Sequence, residues 1–117
     1  MKLTEMTFPE ARPIDGYGPG FFRVGGEVVE GAVIVHSGGV MHWGGLEDSA
    51  SALRLANEID VLLLGTGAEM ATPPAEFRAA LEEAGVGLEP MQSASACRTY
   101  NILLSEGRRV AAALLPI

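Results

Sequence analysis

Two stretches of this chain hold residue types whose spacing could support chemistry. Gly65-Thr66-Gly67 follows the apolar run Val61-Leu62-Leu63-Leu64, and Ser93, Cys97, Arg98 and Thr99 fall within one short segment further on. Glycines at the carboxyl end of a buried strand leave backbone N–H groups to cradle a phosphate or nucleotide, and open α/β sheets bind ligands at that place. Glu89, at the end of the following strand, falls near the position of a ribose-binding acid. A dinucleotide fingerprint, however, would put its third glycine at position 70, which is Met70. The next helix signal also waits until Pro73, so no helix N-terminus is aimed from that loop at a pyrophosphate. A tight turn is favoured over a nucleotide site.

Cys97 is placed in the first turn of a helix with Arg98 beside it, where the helix dipole and a positive charge can lower a thiol pKa. Nucleophilic catalysis also needs a base. The two histidines, His36 and His42, belong to a distant β region, and nothing in the sequence sets either beside Cys97. Packing is favoured for this thiol, because free cysteine is commonly buried. His36 and His42 with Cys97 match no recognised zinc spacing, so no metal site is expected. Glu82-Glu83 reads as a solvated helix face, and Glu47-Asp48 as negative charge at a helix start. No serine sits in a nucleophile elbow, and the sole lysine, Lys2, leaves no phosphate-binding loop. No catalytic residue and no cofactor is assigned.

The elements that must position these residues are legible from turn and cap signals. Residues 1–13, with Pro9 and Pro13, read as an irregular arm. Phe21–Val24 reads as a strand, Gly25-Gly26 as a two-residue hairpin turn, and residues 27–29 and 31–35 as further extended chain. A helix capped at Asp48 or Ser49 runs to about Glu58. The unbroken apolar run Val61–Leu64 fits a strand covered on both faces. Thr72 can cap a second helix with Pro73 at its first position, Phe77, Ala80, Leu81 and Ala84 on one face, and Gly85 as its stop. Val86–Glu89 is the next strand, closed by Pro90. Ser93 caps a third helix to about Ser105 with Cys97, Tyr100, Asn101 and Leu104 on one stripe, and Val110–Leu115 is the final strand. Strands alternating with helices predict an α/β fold with a mixed or mostly parallel sheet.

Composition narrows the function classes. A chain of 117 residues fits one domain. Surface scaling gives roughly 6,000 Å² exposed when folded against roughly 18,000 Å² extended, enough burial for a core. With 48% hydrophobic and 20% charged residues the chain reads as globular. A net charge of −7 and scattered basic residues disfavour a nucleic-acid partner. No apolar run approaches the roughly 18 residues of a membrane span. The N-terminus resembles neither a signal nor a transit peptide, and the single cysteine suits a reducing compartment. A cytoplasmic protein is expected.

The segment Glu89 to Leu114, with Ser93-Ala94-Ser95-Ala96-Cys97-Arg98-Thr99-Tyr100-Asn101 at its centre, is distinctive. It resembles a domain-of-unknown-function family that includes mitochondrial complex I (NADH:ubiquinone oxidoreductase) assembly factor 3 and an adipogenesis-associated protein. Tyr17-Gly18, Trp43, Asp60 to Gly67 and Pro73-Pro74 match the family pattern in the same order. The resemblance implies a three-layer α/β/α fold with a central mixed sheet. It offers no catalytic residue to carry over, and it implies a stand-alone bacterial-type member with a protein partner.

Three functions compete. A non-catalytic binding module, an assembly or biogenesis factor by resemblance, stands first. The second is a small-molecule or anion site in a crevice formed by Gly65, Thr66, Gly67, Ser93, Cys97, Arg98 and Thr99, for which the simpler reading is that Thr99, Tyr100 and Asn101 satisfy backbone groups around the Gly65–Gly67 turn. The third is a homo-oligomer paired through an exposed Phe21-Phe22 region. Because residues 110–117 read as a buried strand, their removal should abolish the cooperative thermal melt followed by circular dichroism. A truncated chain that still melts cooperatively contradicts the placement.

Overall fold

The structure is a computed structural model, and it describes residues 5–117. Strands β1 (Met6–Thr7), β2 (Ile14–Gly18), β3 (Phe21–Val24), β4 (Glu27–Glu30), β5 (Val33–His36) and β6 (Gly39–His42) come first. Helix α1 (Ser49–Leu53), β7 (Val61–Gly65), α2 (Ala75–Glu83), β8 (Gly87–Met91), α3 (Ser93–Ser105) and β9 (Val110–Leu114) then alternate. The fold is α/β with a central mixed sheet of order β1-β6-β5-β9-β7-β8. β9 lies at its centre, antiparallel to β5 and parallel to β7, and β7 is parallel to the edge strand β8. A separate antiparallel sheet of order β2-β3-β4 covers part of one face.

Alternation along the central strands builds two cores. Ile34, Leu62, Leu64, Ala111 and Ala113 point toward α1 and α2, where Trp43, Phe77 and Leu81 are buried. Val33, Val35, Leu63, Ala112 and Leu114 point the other way, toward Cys97 and Tyr100 of α3 and toward Phe22, Val24 and Val29 of the small sheet. That outer layer is therefore composite, part helix and part sheet. Ala111, Ala112 and Ala113 are fully buried, and their small side chains let both outer layers approach the sheet closely. Gly25 and Gly26 have φ of +57° and +85°, the two positive values that a type I′ hairpin turn requires.

Several expected boundaries move, each for a local reason. Within the arm read as irregular, Met6–Thr7 pairs with β6; residues 1–4 of that arm lie outside the described residues. Helix α1 stops at Leu53 rather than near Glu58, because the N–H groups of Arg54, Leu55, Ala56 and Glu58 turn to carbonyls three residues back. Pro74 forces Pro73 out of the helical region, so α2 begins at Ala75 and not at Pro73. Ser93 lies inside α3, behind a Gln92 cap. β8 runs on through Pro90, which an edge strand tolerates where a central one would not. Phe22, expected to be exposed for pairing between subunits, is fully buried under the small sheet.

Asn101 joins the composite layer together. Its Oδ1 accepts from the Ile14 N–H at 2.8 Å and its Nδ2 donates to the Ile14 carbonyl at 2.8 Å. The side chain thus completes the edge of β2 as a neighbouring strand would. It serves Ile14, not the Gly65–Gly67 turn. Asn101→Ala should cost about 1–3 kcal/mol by leaving both groups of Ile14 unpaired. Asn101→Asp, which can accept but not donate, should fall between the two. Urea denaturation of the three proteins checks the order, and equal midpoints would contradict it.

Candidate functional site

The residues singled out by sequence divide into a knot and a dispersed set. β7 and β8 run parallel, so the loops after them meet at one end of the sheet. There the Gly67 N–H donates to the Ser93 hydroxyl at 2.8 Å, and that hydroxyl donates to the Leu115 carbonyl at 2.7 Å. The Ser93 N–H donates back to the Gly67 carbonyl, and the Leu115 N–H to the Gly65 carbonyl, each at 2.9 Å. The Thr66 N–H reaches the Met91 carbonyl at 2.9 Å; its hydroxyl donates to the Glu69 carbonyl at 2.7 Å and accepts from the Ala71 N–H at 2.9 Å. Gly65, Thr66, Gly67 and Ser93 are brought together, and these polar groups are partnered within the chain.

The fit leaves no room for a larger residue at position 65. A Cβ there would meet Ser93 Oγ at 2.8 Å and Leu114 Cδ2 at 2.9 Å. Gly67 has φ +95°, a conformation other residues rarely adopt. Ser93 itself is fully buried. Between these loops the Ser93 hydroxyl bridges Gly67 and Leu115.

Cys97, Arg98 and Thr99 do not converge on that knot as one site. Cys97 is buried in the core under α3, and burial pushes its thiol up to about 11, the nearby Arg98 charge only partly opposing the shift. Arg98 is exposed, its guanidinium 3.4 Å from the Ser95 hydroxyl. Thr99 is half-buried further along the helix. Tyr100 is fully buried with a hydroxyl that meets no hydrogen-bond partner, and burial raises its pKa. His36 and His42 sit at opposite ends of the β5–β6 hairpin, His36 opposite Gly39 and His42 opposite Val33. Among the described residues no three His, Cys, Asp or Glu side chains gather in a metal-holding group.

A concavity that the sequence did not signal lies elsewhere. An open groove of about 450 Å³ separates the loop before α1 from the start of α2, and Leu46, Glu47, Ser49, Pro74, Glu76 and Phe77 are among its lining residues. Its wall is held from below. Asp48 accepts from the N–H groups of Gly44 and Ser51 and from the Ser51 hydroxyl, while the Trp43 indole donates to the Asp48 carbonyl at 2.9 Å. Burial would raise the Asp48 pKa, but those hydrogen bonds outweigh it and hold the carboxyl below its ordinary value. The Trp43 and Phe77 rings lie 6.1 Å apart, tilted. The cap at Asp48 was legible; its second duty beneath a groove was not.

The family described as "Protein of unknown function (DUF498/DUF598)" matches residues 14–115, nearly the whole chain. The chain belongs to this family. It is 52% identical over its full length to an uncharacterized protein of Rhodobacter capsulatus, covering 94% of that protein. It is 34% identical to the zebrafish (Danio rerio) NADH dehydrogenase [ubiquinone] 1 alpha subcomplex assembly factor 3, over 88% of this chain and 63% of the zebrafish protein. The chain thus spans less than two thirds of that relative's length. A solved structure described as an outer membrane protein from Bartonella henselae superposes with a TM-score of 0.83 at 37% identity, covering 93% of this chain and 98% of that one. Among the described residues no helix is long and apolar enough to cross a membrane.

The burial of Cys97 has two measurable consequences. At pH 8 its thiolate is about a hundredfold scarcer than that of an ordinary thiol, so native protein should react slowly with iodoacetamide and unfolded protein quickly. The folded pKa lies above the unfolded value of 9.0, so the stabilisation is intact below about pH 9 and lost as pH rises through about 11. Tyr100 adds a loss of the same sign at still higher pH. Melting temperature should therefore fall from pH 8.5 to pH 11, and less steeply in Cys97→Ala. Equal slopes would contradict the assignment.

Proposed function

We propose that the chain is a non-catalytic protein-binding module that serves the assembly or biogenesis of a respiratory or membrane complex. The match to assembly factor 3 across 88% of this chain carries this reading. The sealed sheet end supports it, because the polar groups that would recognise a small ligand there are already used in holding the fold. Gly65, Thr66, Gly67 and Ser93 act in this account as a structural latch. Cys97 acts as a core residue, and Arg98 and Thr99 as surface of α3. We place the protein in the cytoplasm, where its single thiol stays reduced.

In cells that encode it, deletion should lower the amount of fully assembled NADH:ubiquinone oxidoreductase resolved on native gels. Expression of the chain should restore it. Unchanged assembly in the deletion strain would contradict the proposal, as would recovery of the native protein outside the cytoplasmic fraction.

A further inference from the structure

We propose that the groove between the loop before α1 and the start of α2 docks a basic, amphipathic segment of a partner protein. This inference rests on the binding-module reading and gives it a surface and a partner chemistry. Leu46, Pro74 and the buried Phe77 give the groove an apolar part. Two exposed carboxylates, Glu47 and Glu76, also line it, and no lysine or arginine does. A lining that combines apolar side chains with two carboxylates and no basic group complements a segment that carries aliphatic or aromatic side chains together with arginines or lysines.

Opposing and supporting effects can be weighed. The start of α2 has no side-chain cap, so its N–H groups contribute roughly half a positive charge to the groove. Two full carboxylates exceed it, and Asp48, ionised below its ordinary pKa, adds a third negative charge beneath the wall. Arg78, one turn into α2, is engaged with Glu82 at 3.5 Å. The groove is open to solvent, which would leave a compact small molecule partly in water but suits a segment of chain lying across it. The hydrogen bonds of Asp48 and the Trp43 indole hold the loop wall in place, so little ordering is needed on docking.

Trp43, the sole tryptophan, is buried against Phe77, a lining residue, and senses the groove through that ring. Full-length protein should be titrated with a short tryptophan-free peptide alternating arginine and leucine, and with matched peptides carrying glutamate for arginine or serine for leucine. The arginine–leucine peptide should shift Trp43 emission saturably, and both controls should bind at least about tenfold more weakly. Glu47→Gln/Glu76→Gln, both exposed positions, should fold with a melting temperature only a few degrees lower, as expected for charges lost near helix starts, and lose about tenfold in affinity for the arginine–leucine peptide. Equal binding of the glutamate peptide, or unchanged affinity in the double variant, would overturn the groove assignment. In the deletion strain, a double variant that restores complex assembly fully would also overturn the groove while leaving the binding-module reading intact. Failure of that broader reading shows separately, as assembly that never depended on the chain.

Discussion

One buried hydroxyl closes the end of the sheet where an α/β protein would ordinarily keep its ligand. Ser93 accepts from Gly67 and donates to Leu115, so one side chain links the loop after β7, the start of α3 and the residue following β9. Buried in low dielectric, each of these bonds is stronger than in water, and breaking one would strand a polar group at a cost of about 1–3 kcal/mol. The absence of a side chain at Gly65 makes the approach possible, since a Cβ would collide with the Ser93 hydroxyl and with Leu114. Residues that look like a phosphate cradle in sequence are here the joint between β7, α3 and β9.

The rest of the architecture follows from that joint and from β9. The last strand lies between β7, to which it is parallel, and β5, to which it is antiparallel, which makes the sheet mixed. Alanine at three successive β9 positions draws α3 down on one face and α1 with α2 on the other. The small sheet then fills the area α3 leaves uncovered, and Asn101 ties its edge to the helix at Ile14. The main-sheet edges are blunt: β1 has two residues and β8 contains Pro90.

Local signals were read well from sequence and distant partnerships were not. The Gly25-Gly26 turn, the Asp48 cap, the Gly85 stop and the buried run Val61–Leu64 depend on chemistry within a few residues, and each stands where expected. The division of the first third into two sheets was hidden, because alternation tells which face a residue uses but not which strand lies beside it. Ser93 carries the residue type of a helix cap, yet it is the first residue of α3, and its hydroxyl bonds across the fold to Gly67 and Leu115. Asn101 and Ile14 are 87 positions apart, and no local pattern links them. The groove beside Phe77 is likewise a product of two loops that only the tertiary fold brings together.

In the proposed reading, function is displaced from the strand ends to the outer surface of the helical layer. The similarity to assembly factor 3 and the internally hydrogen-bonded sheet end are what support that proposal. The latch at Ser93 is the claim on which this displacement depends. Native-state hydrogen exchange of the Gly67 amide tests it most directly. A sealed joint predicts that this amide exchanges only through global unfolding, with an opening free energy that falls with urea as the global stability does. Exchange through a small local opening, insensitive to urea, would mean that the crevice breathes open and would contradict the account.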